Sequence, residues 1–256
     1  MYLKKIKFNI NIRIIIFSAI IVIVGALILN KSFINVFNLN NKKLPIYNVE
    51  TNGEKVIAIT FDASWGADNT MKILDVLHEY DVKATFFLVG RWVDEYNAEV
   101  EEIHKRGHEI GNHSNSHPNM TSLSKDAITR EIISTDSKIR KITGQGTKVF
   151  RFPEGAYNDQ VVQIVEESGH YCIQWDVDSI DWKEQGAQNE YDRVISKTVG
   201  GSIVLFHNNA KYTPENLPKI LKQLKSDGFS FVTVSELIYK DDYIIDHTGK
   251  QIKKNK

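Results

Sequence analysis

The sequence predicts an α/β fold in which a parallel sheet curls into a compact, incomplete barrel of about seven strands. Three observations predict it. Short runs rich in Val, Ile and Phe alternate with amphipathic stretches at a spacing of roughly 25–35 residues, which is the pattern of βα units. About seven such repeats fit into roughly 180 residues, which favours a nearly closed sheet over an open one. Several of the apolar runs also end in polar, titratable residues, as strands do where chemistry gathers at their C-terminal ends.

The run Val56-Ile-Ala-Ile-Thr-Phe61 reads as the first buried strand, followed by a helix whose Met71, Leu74, Leu77 and His78 share a face. Residues 84–89 form the second strand, and one helix over about 91–106 is stopped by Gly107. A short strand follows at 108–111. Ser124 caps a long helix that ends at Gly144. A strand at 149–152 and a helix ending at Gly169 come next, then one continuous strand over 171–177 and a helix near 191–199. The last unit is a strand at 202–207 with a helix over 215–227 closed by Gly228, and the run 229–234 lies behind it. From Lys240 the chain is polar and is expected to fray.

Of the 256 residues, 42% are hydrophobic and 25% charged, which suits one sizeable folded domain and excludes a disordered or fibrous chain. The 32 basic and 32 acidic side chains cancel, but the first 49 residues carry seven basic groups and no acid. The body of the chain is therefore acidic and offers no basic field to nucleic acid. No dinucleotide fingerprint or phosphate-cradling glycine loop follows the first strand, so no nucleotide cofactor is expected. The single cysteine, Cys172, excludes an internal disulfide and a cysteine-built zinc site and reads as a small buried hydrophobe.

Residues 14–29 are apolar except for Ser18 and Gly25. As a helix they would span about 24 Å, and Arg13 and Lys31 can snorkel to make up the difference from a ~30 Å hydrocarbon core. Lys4, Lys5, Lys7 and Arg13 on the leading side put the N-terminus inside and the body outside. Residues 1–30 are thus expected to be a cytoplasmic tip and single-pass membrane anchor, with a cleaved signal peptide as the alternative. An Asn- and Lys-rich stalk over 31–54, the domain over 55–238 and a polar tail over 239–256 complete the expected organisation.

The strand ends carry Thr60-Phe-Asp62, His113-Ser-Asn-Ser-His117, Arg151-Phe-Pro153, Asp178-Ser-Ile-Asp-Trp182 and Leu205-Phe-His207. His113 and His117 have a spacing that lets two imidazoles share a cation when the backbone turns tightly. Asp62 could take a proton from water; as an isolated residue it could equally cap a helix or loop. Arg151 could grip such a carboxylate with two hydrogen bonds, or lie on the surface. His207 is either a satisfied core group or a proton donor to a leaving amine, with Asp178 and Asp181 as candidates to orient it. Trp65, Trp92, Trp175 and Trp182 could stack on sugar rings; Trp65, beside Gly66, suits a platform best, and Trp175 reads as core packing.

Together these five segments, in this order, resemble the five motifs of the polysaccharide deacetylases, carbohydrate esterase family 4 or the NodB homology domain. The resemblance covers about residues 54–238, and with Ser64-Trp65-Gly66 it is closest to the PdaB type associated with sporulation. It implies a distorted (β/α)7-type barrel and a divalent metal, zinc or cobalt, on His113 and His117. Asp62 resembles the catalytic base, Arg151 the residue that orients it, His207 the general acid and Asp181 the acid that tunes it. Leu205 is similar to the residue lining the acetyl pocket, and the stretch around Glu154 to the one whose backbone N–H binds the oxyanion. The implied activity is N-deacetylation of an extracytoplasmic cell-wall glycan, with peptidoglycan as the expected substrate.

Two positions depart from the family pattern. Ala63 stands where a second aspartate supplies the third metal ligand, and Glu154 stands in place of a tyrosine. Alanine cannot ligate, so metal binding is expected to be weak. Three outcomes stay open: another carboxylate such as Asp68 replaces the ligand, two imidazoles and water hold the ion loosely, or the chain is a glycan-binding protein on a deacetylase scaffold.

Overall fold

In the computed structural model, which describes residues 42–254, the main sheet is parallel throughout. Its order is β6 (Tyr171–Ile173), β5 (Val149–Arg151), β4 (Glu109–Asn112), β3 (Thr85–Leu88), β2 (Val56–Ala63), β8 (Ile203–His207) and β7 (Val177–Asp178). β9 (Ser230–Phe231) pairs with the first residues of β2. The two outermost strands, β6 and β7, are consecutive in the chain and only residues 174–176 separate them. Such a link reaches at most about 14 Å, whereas seven strands laid flat would set their edges about 29 Å apart. The sheet must curl, and it forms a half-barrel whose strand C-termini converge.

Alternation along β2 sorts its side chains into two layers. Ile57, Ile59, Phe61 and Ala63 join the apolar cluster shared with the helices, while Ala58 faces a second cluster with Phe87, Val149 and Ile203. Thr60 and Asp62 are buried polar groups between these apolar positions. Phe61 stacks between Phe86 at 4.9 Å and Phe206 at 5.6 Å, a contact set that stabilises by about 1.5–3 kcal/mol for the one side chain.

Several expectations need correction. The helix Thr70–Glu79 buries Thr70, Ile73, Leu74 and Leu77, whereas Met71 and His78 are exposed. The expected helix over 91–106 is two, Gly90–Glu95 and Asn97–Lys105, broken where Tyr96 leaves helical geometry. The expected strand over 171–177 splits into β6 and β7. Asp176 lies in the break and takes the Ile203 N–H and the Ser202 hydroxyl at 2.9 Å, replacing ladder bonds with side-chain bonds.

The expected stalk and tail are also folded where they are described. Ile46 and Val49 are buried, and Ile46 pairs with Ile173 of β6 while Asn48 pairs with Ser202 beside β8. The tail forms an antiparallel hairpin, β10 (Tyr243–Ile245) and β11 (Lys250–Lys253), and β11 pairs with β1 (Asn48–Val49). Apolar residues spaced among polar ones, Ile46, Val49 and Ile245, suffice to pull both segments onto the core. The expected anchor over 1–30 lies outside the described residues, and among those described no helix is long and apolar enough to cross a membrane. Cys172 is buried, as its apolar setting predicted.

Candidate active site

The C-terminal ends of β2, β4, β5, β7 and β8 open into one cleft of about 550 Å³, bordered by Asp62, His113, His117, Asp181, Leu205 and His207 among others. Register sets the two reacting sides next to each other, because Asp62 of β2 lies directly opposite His207 of β8.

Asp62 is held from below. Nη1 of Arg151 donates to its Oδ1 at 2.8 Å and to the Thr60 hydroxyl at 2.9 Å, and Nη2 donates to the Gln174 carbonyl at 3.2 Å. The guanidinium is fully buried and packs 4.0 Å from the centre of the Phe87 ring, so it is a core residue and not a surface charge. Burial pushes the Asp62 carboxyl up, but the charges of Arg151, His113 and His207 outweigh it and hold the group below its ordinary range. Oδ2 stays free of Arg151 and lies 3.5 Å from Nε2 of His113.

His113 follows β4 and its Nδ1 meets the Arg151 carbonyl at 2.8 Å. A carbonyl only accepts, so Nδ1 carries the hydrogen and Nε2 presents a bare lone pair to the cleft. Burial lowers the proton affinity of this ring to about 4, against the opposing pull of Asp62, so it is neutral near pH 7. His117 is likewise lowered, chiefly by burial, and its ring centre is 4.9 Å from that of His113. The turn between them is left-handed at Ser114 and His117, with φ of 67° and 58°. Glu131, on the helix Lys125–Thr143, pins this turn by accepting the Asn115 and Ser116 N–H groups at 2.8 Å and the Ser116 hydroxyl at 2.9 Å.

His207 is held differently. Its Nδ1 and its backbone N–H both meet the buried Asp181 carboxylate at 2.7 Å, and the Trp182 N–H and the Thr213 hydroxyl complete the ring of donors at 2.7 and 3.2 Å. Burial lowers its proton affinity, but the bond to Asp181 and the charges of Asp181, Asp62 and Asp178 outweigh that and raise it overall. Asp178 does not bond the ring; its Oδ1 takes the Ile180 N–H at 2.8 Å.

The remaining expected residues divide. Leu205 is buried and borders the cleft, and Trp65 and Trp182 stand on its rim, 70% and 58% exposed. Trp175, expected in the core, is half-buried and borders the cleft while its ring approaches Arg151 at 5.5 Å. Trp92 is fully buried and its indole N–H bonds the Gly66 carbonyl, so it supports the Trp65 loop and leaves no face for a sugar. Gly66 itself has φ of 60°, and a Cβ there would meet the Asn209 amide at 2.4 Å.

For a metal, the two imidazoles fit and the third ligand does not. The His113 tautomer leaves a lone pair for an ion. Ala63 is buried among Phe61, Leu88 and Trp92, and Asp68 is exposed and does not border the cleft. Among the described residues no three His, Cys, Asp or Glu side chains are grouped to hold an ion. Besides Asp62, a second carboxylate that borders the cleft with the imidazoles is Glu154, on a left-handed turn with φ of 58° after β5, where its charge acts on His117. Sequence reasoning missed Gln174 and Glu131, which act through a backbone carbonyl and a mid-helix acid that carry no motif signal, and it gave Thr60 no part although that residue opens the Thr60-Phe-Asp62 segment.

Residues 49–173 match the family model for polysaccharide deacetylase. The chain is 36% identical over 192 residues to a peptidoglycan-N-acetylglucosamine deacetylase of Bacillus cereus, spanning 73% of this chain and 90% of that one. It is 32% identical over 193 residues to the peptidoglycan-N-acetylmuramic acid deacetylase PdaA of Bacillus subtilis, spanning 74% and 73%. Among solved structures, a carbohydrate esterase family 4 pseudoenzyme from Bacillus anthracis superposes with a TM-score of 0.73 at 38% identity, over 75% of this chain and 68% of that one. A mutant of the same protein, described as having restored enzymatic activity, matches equally well at 39% identity.

Proposed function

The chain belongs to the polysaccharide deacetylase family, the hydrolases of carbohydrate esterase family 4, and on that premise we propose that it removes N-acetyl groups from a cell-wall glycan, peptidoglycan foremost. The observation that carries the reading is one cleft with an acid fixed as a base and an imidazole fixed as an acid, each by its own buried partner.

His113 and His117 would hold a divalent ion, zinc or cobalt, which when bound polarises the acetamide carbonyl and makes water more acidic. The chain's own groups do the rest. Oδ2 of Asp62, with Oδ1 tied to Arg151, takes a proton from water as the water oxygen bonds to the acetamide carbon. The Glu154 N–H on its left-handed turn meets the oxyanion. The C–N bond then breaks, the nitrogen keeps the electron pair, and Nε2 of His207 gives it a proton while Asp181 steadies the ring. Acetate and a free amine result. Leu205 receives the acetyl methyl, and Trp65 and Trp182 give the sugar faces to stack on.

The apolar run at 14–29 with its basic leading flank supports an extracytoplasmic domain on a single-pass anchor, cleavage and secretion being the second choice. A link to sporulation rests on the likeness of Ser64-Trp65-Gly66 to the PdaB type. Ala63 favours a second reading, a glycan-binding pseudoenzyme, and the similarity to such a protein supports it.

Acetate release by the full chain from chito-oligomers and peptidoglycan, with added Zn²⁺ or Co²⁺, separates the two. Release that falls about 10²–10⁴-fold in Asp62→Asn and His207→Ala supports the hydrolase. Glycan retention without release in every metal supports the binder.

A further inference from the structure

Behind Asp181 lies a second acid that the chemistry above does not use. Glu190 sits in the first turn of the helix Ala187–Lys197, only 3% exposed, and neither of its carboxylate oxygens has a hydrogen-bond partner. Leaving a carboxylate so placed is costly unless it is protonated or serves a neighbouring group. The polar groups that face it come from two other elements. Thr213 and Asn216 belong to the helix Thr213–Ser226, and Asp181 belongs to the turn after β7. The Thr213 hydroxyl commits its one hydrogen to Oδ2 of Asp181 at 3.2 Å, while the Asn216 amide gives one of its two hydrogens to the Ala187 carbonyl at 2.8 Å. On its own helix the nearest strong cation, Arg193, donates instead to the Asp178 carbonyl. A protonated Glu190 can therefore donate to the Thr213 oxygen, whose own hydrogen points on to Asp181 and so to His207.

We propose that Glu190 is a positioning residue that acts on His207 through Thr213 and Asp181, fixing the Asp181 carboxylate when protonated and adding negative charge behind it when ionised. The inference rests on the reading of His207 as the proton donor to the leaving amine. Burial, reinforced by the charge of Asp181, pushes the Glu190 carboxyl up to about 7, so its ionisation falls in the range where His207 must keep its proton. The charges facing His207 itself are those of Asp181, Asp62 and Asp178. A further negative charge close behind Asp181 holds the imidazolium to higher pH.

A histidine NMR titration of the full chain tests this. In Glu190→Gln, His207 should lose its proton at a pH lower by about half a unit or more, and the alkaline fall of kcat should move with it while KM stays put. Glu190→Met, which fills the same space without polarity, should show the same shift and serves if the amide variant misfolds. Thermal unfolding gives an independent reading. An acid whose folded pKa is raised costs nothing below its unfolded value and its full amount above the folded one, so Glu190→Gln should match the parent near pH 4 and melt above it at pH 8. A His207 titration unmoved in both variants, or identical melting at both pH values, overturns the inference. A shifted titration in a chain that releases no acetate upholds it and removes the deacetylase reading; an unmoved titration with acetate release intact does the reverse.

Discussion

Two histidines in this cleft each lie beside an aspartate, and the structure gives them opposite tasks. His113 spends its Nδ1 hydrogen on a backbone carbonyl and turns a bare Nε2 toward Asp62, so burial prevails and the ring stays neutral. His207 spends its Nδ1 hydrogen on the Asp181 carboxylate, which outweighs burial and keeps the ring charged to higher pH. The same pair of residue types thus yields a neutral ring with a free lone pair in one place and a ring that stays charged to higher pH in the other. What decides between them is which atom faces the carboxylate and what that carboxylate already bonds. Asp62 is committed to Arg151; Asp181 is committed to His207.

The largest expected effect breaks the first pair. Arg151→Leu leaves Asp62 buried without its cation, which should cost about 3–5 kcal/mol and lower Tm by roughly 10 °C, measured by calorimetry. Retained stability would mean that the carboxyl is protonated and the His113 environment tolerates it.

Asp181→Asn breaks the second pair. Acetate release should fall about 100-fold, and the titration of His207 should move down. The sign of the stability effect is fixed by the raised affinity of the ring. The imidazolium–Asp181 contribution is full below about 6.5 and vanishes as pH rises through the folded value, so the Tm gap to the parent should narrow above neutrality. Asp62 behaves in the contrary way, since its contribution is present above its ordinary range and disappears only as acid protonates it at its lowered folded value.

A smaller effect sharpens the comparison at the ligand side. Ala63→Asp puts a carboxylate beside Phe61 and Leu88, which should destabilise the metal-free chain by about 1–3 kcal/mol. Zinc should restore that loss, giving a larger zinc-dependent rise in Tm than the parent shows. A variant that zinc does not rescue would show that position 63 does not reach the imidazoles.

Much of this was legible in the sequence because it depends on local patterning. The strand periodicities place Asp62, His113, Arg151 and His207 at strand ends, and strand ends of a curled parallel sheet converge. Asp181 could not be chosen over Asp178 from spacing alone, since the choice hangs on a turn in which Ile180 is left-handed with φ of 57°. Glu131 and Glu190 were illegible for a related reason. Each sits on an amphipathic helix among other charges, and only the packing of that helix decides whether its acid meets a loop, a core or solvent. The missed strands at the two ends of the domain follow the same logic, because β1 has two residues and its partner lies some two hundred positions away.

That last pairing has a practical corollary for anyone trimming the gene. Ile46 closes one side of the seam between the outermost strands and Val49 anchors the terminal hairpin, so a fragment started at the family motif near residue 55 would discard the latch that holds both. Soluble material should begin no later than Lys43, and a truncation that removes Lys250–Lys253 should loosen the opposite terminus as surely as the one it cuts.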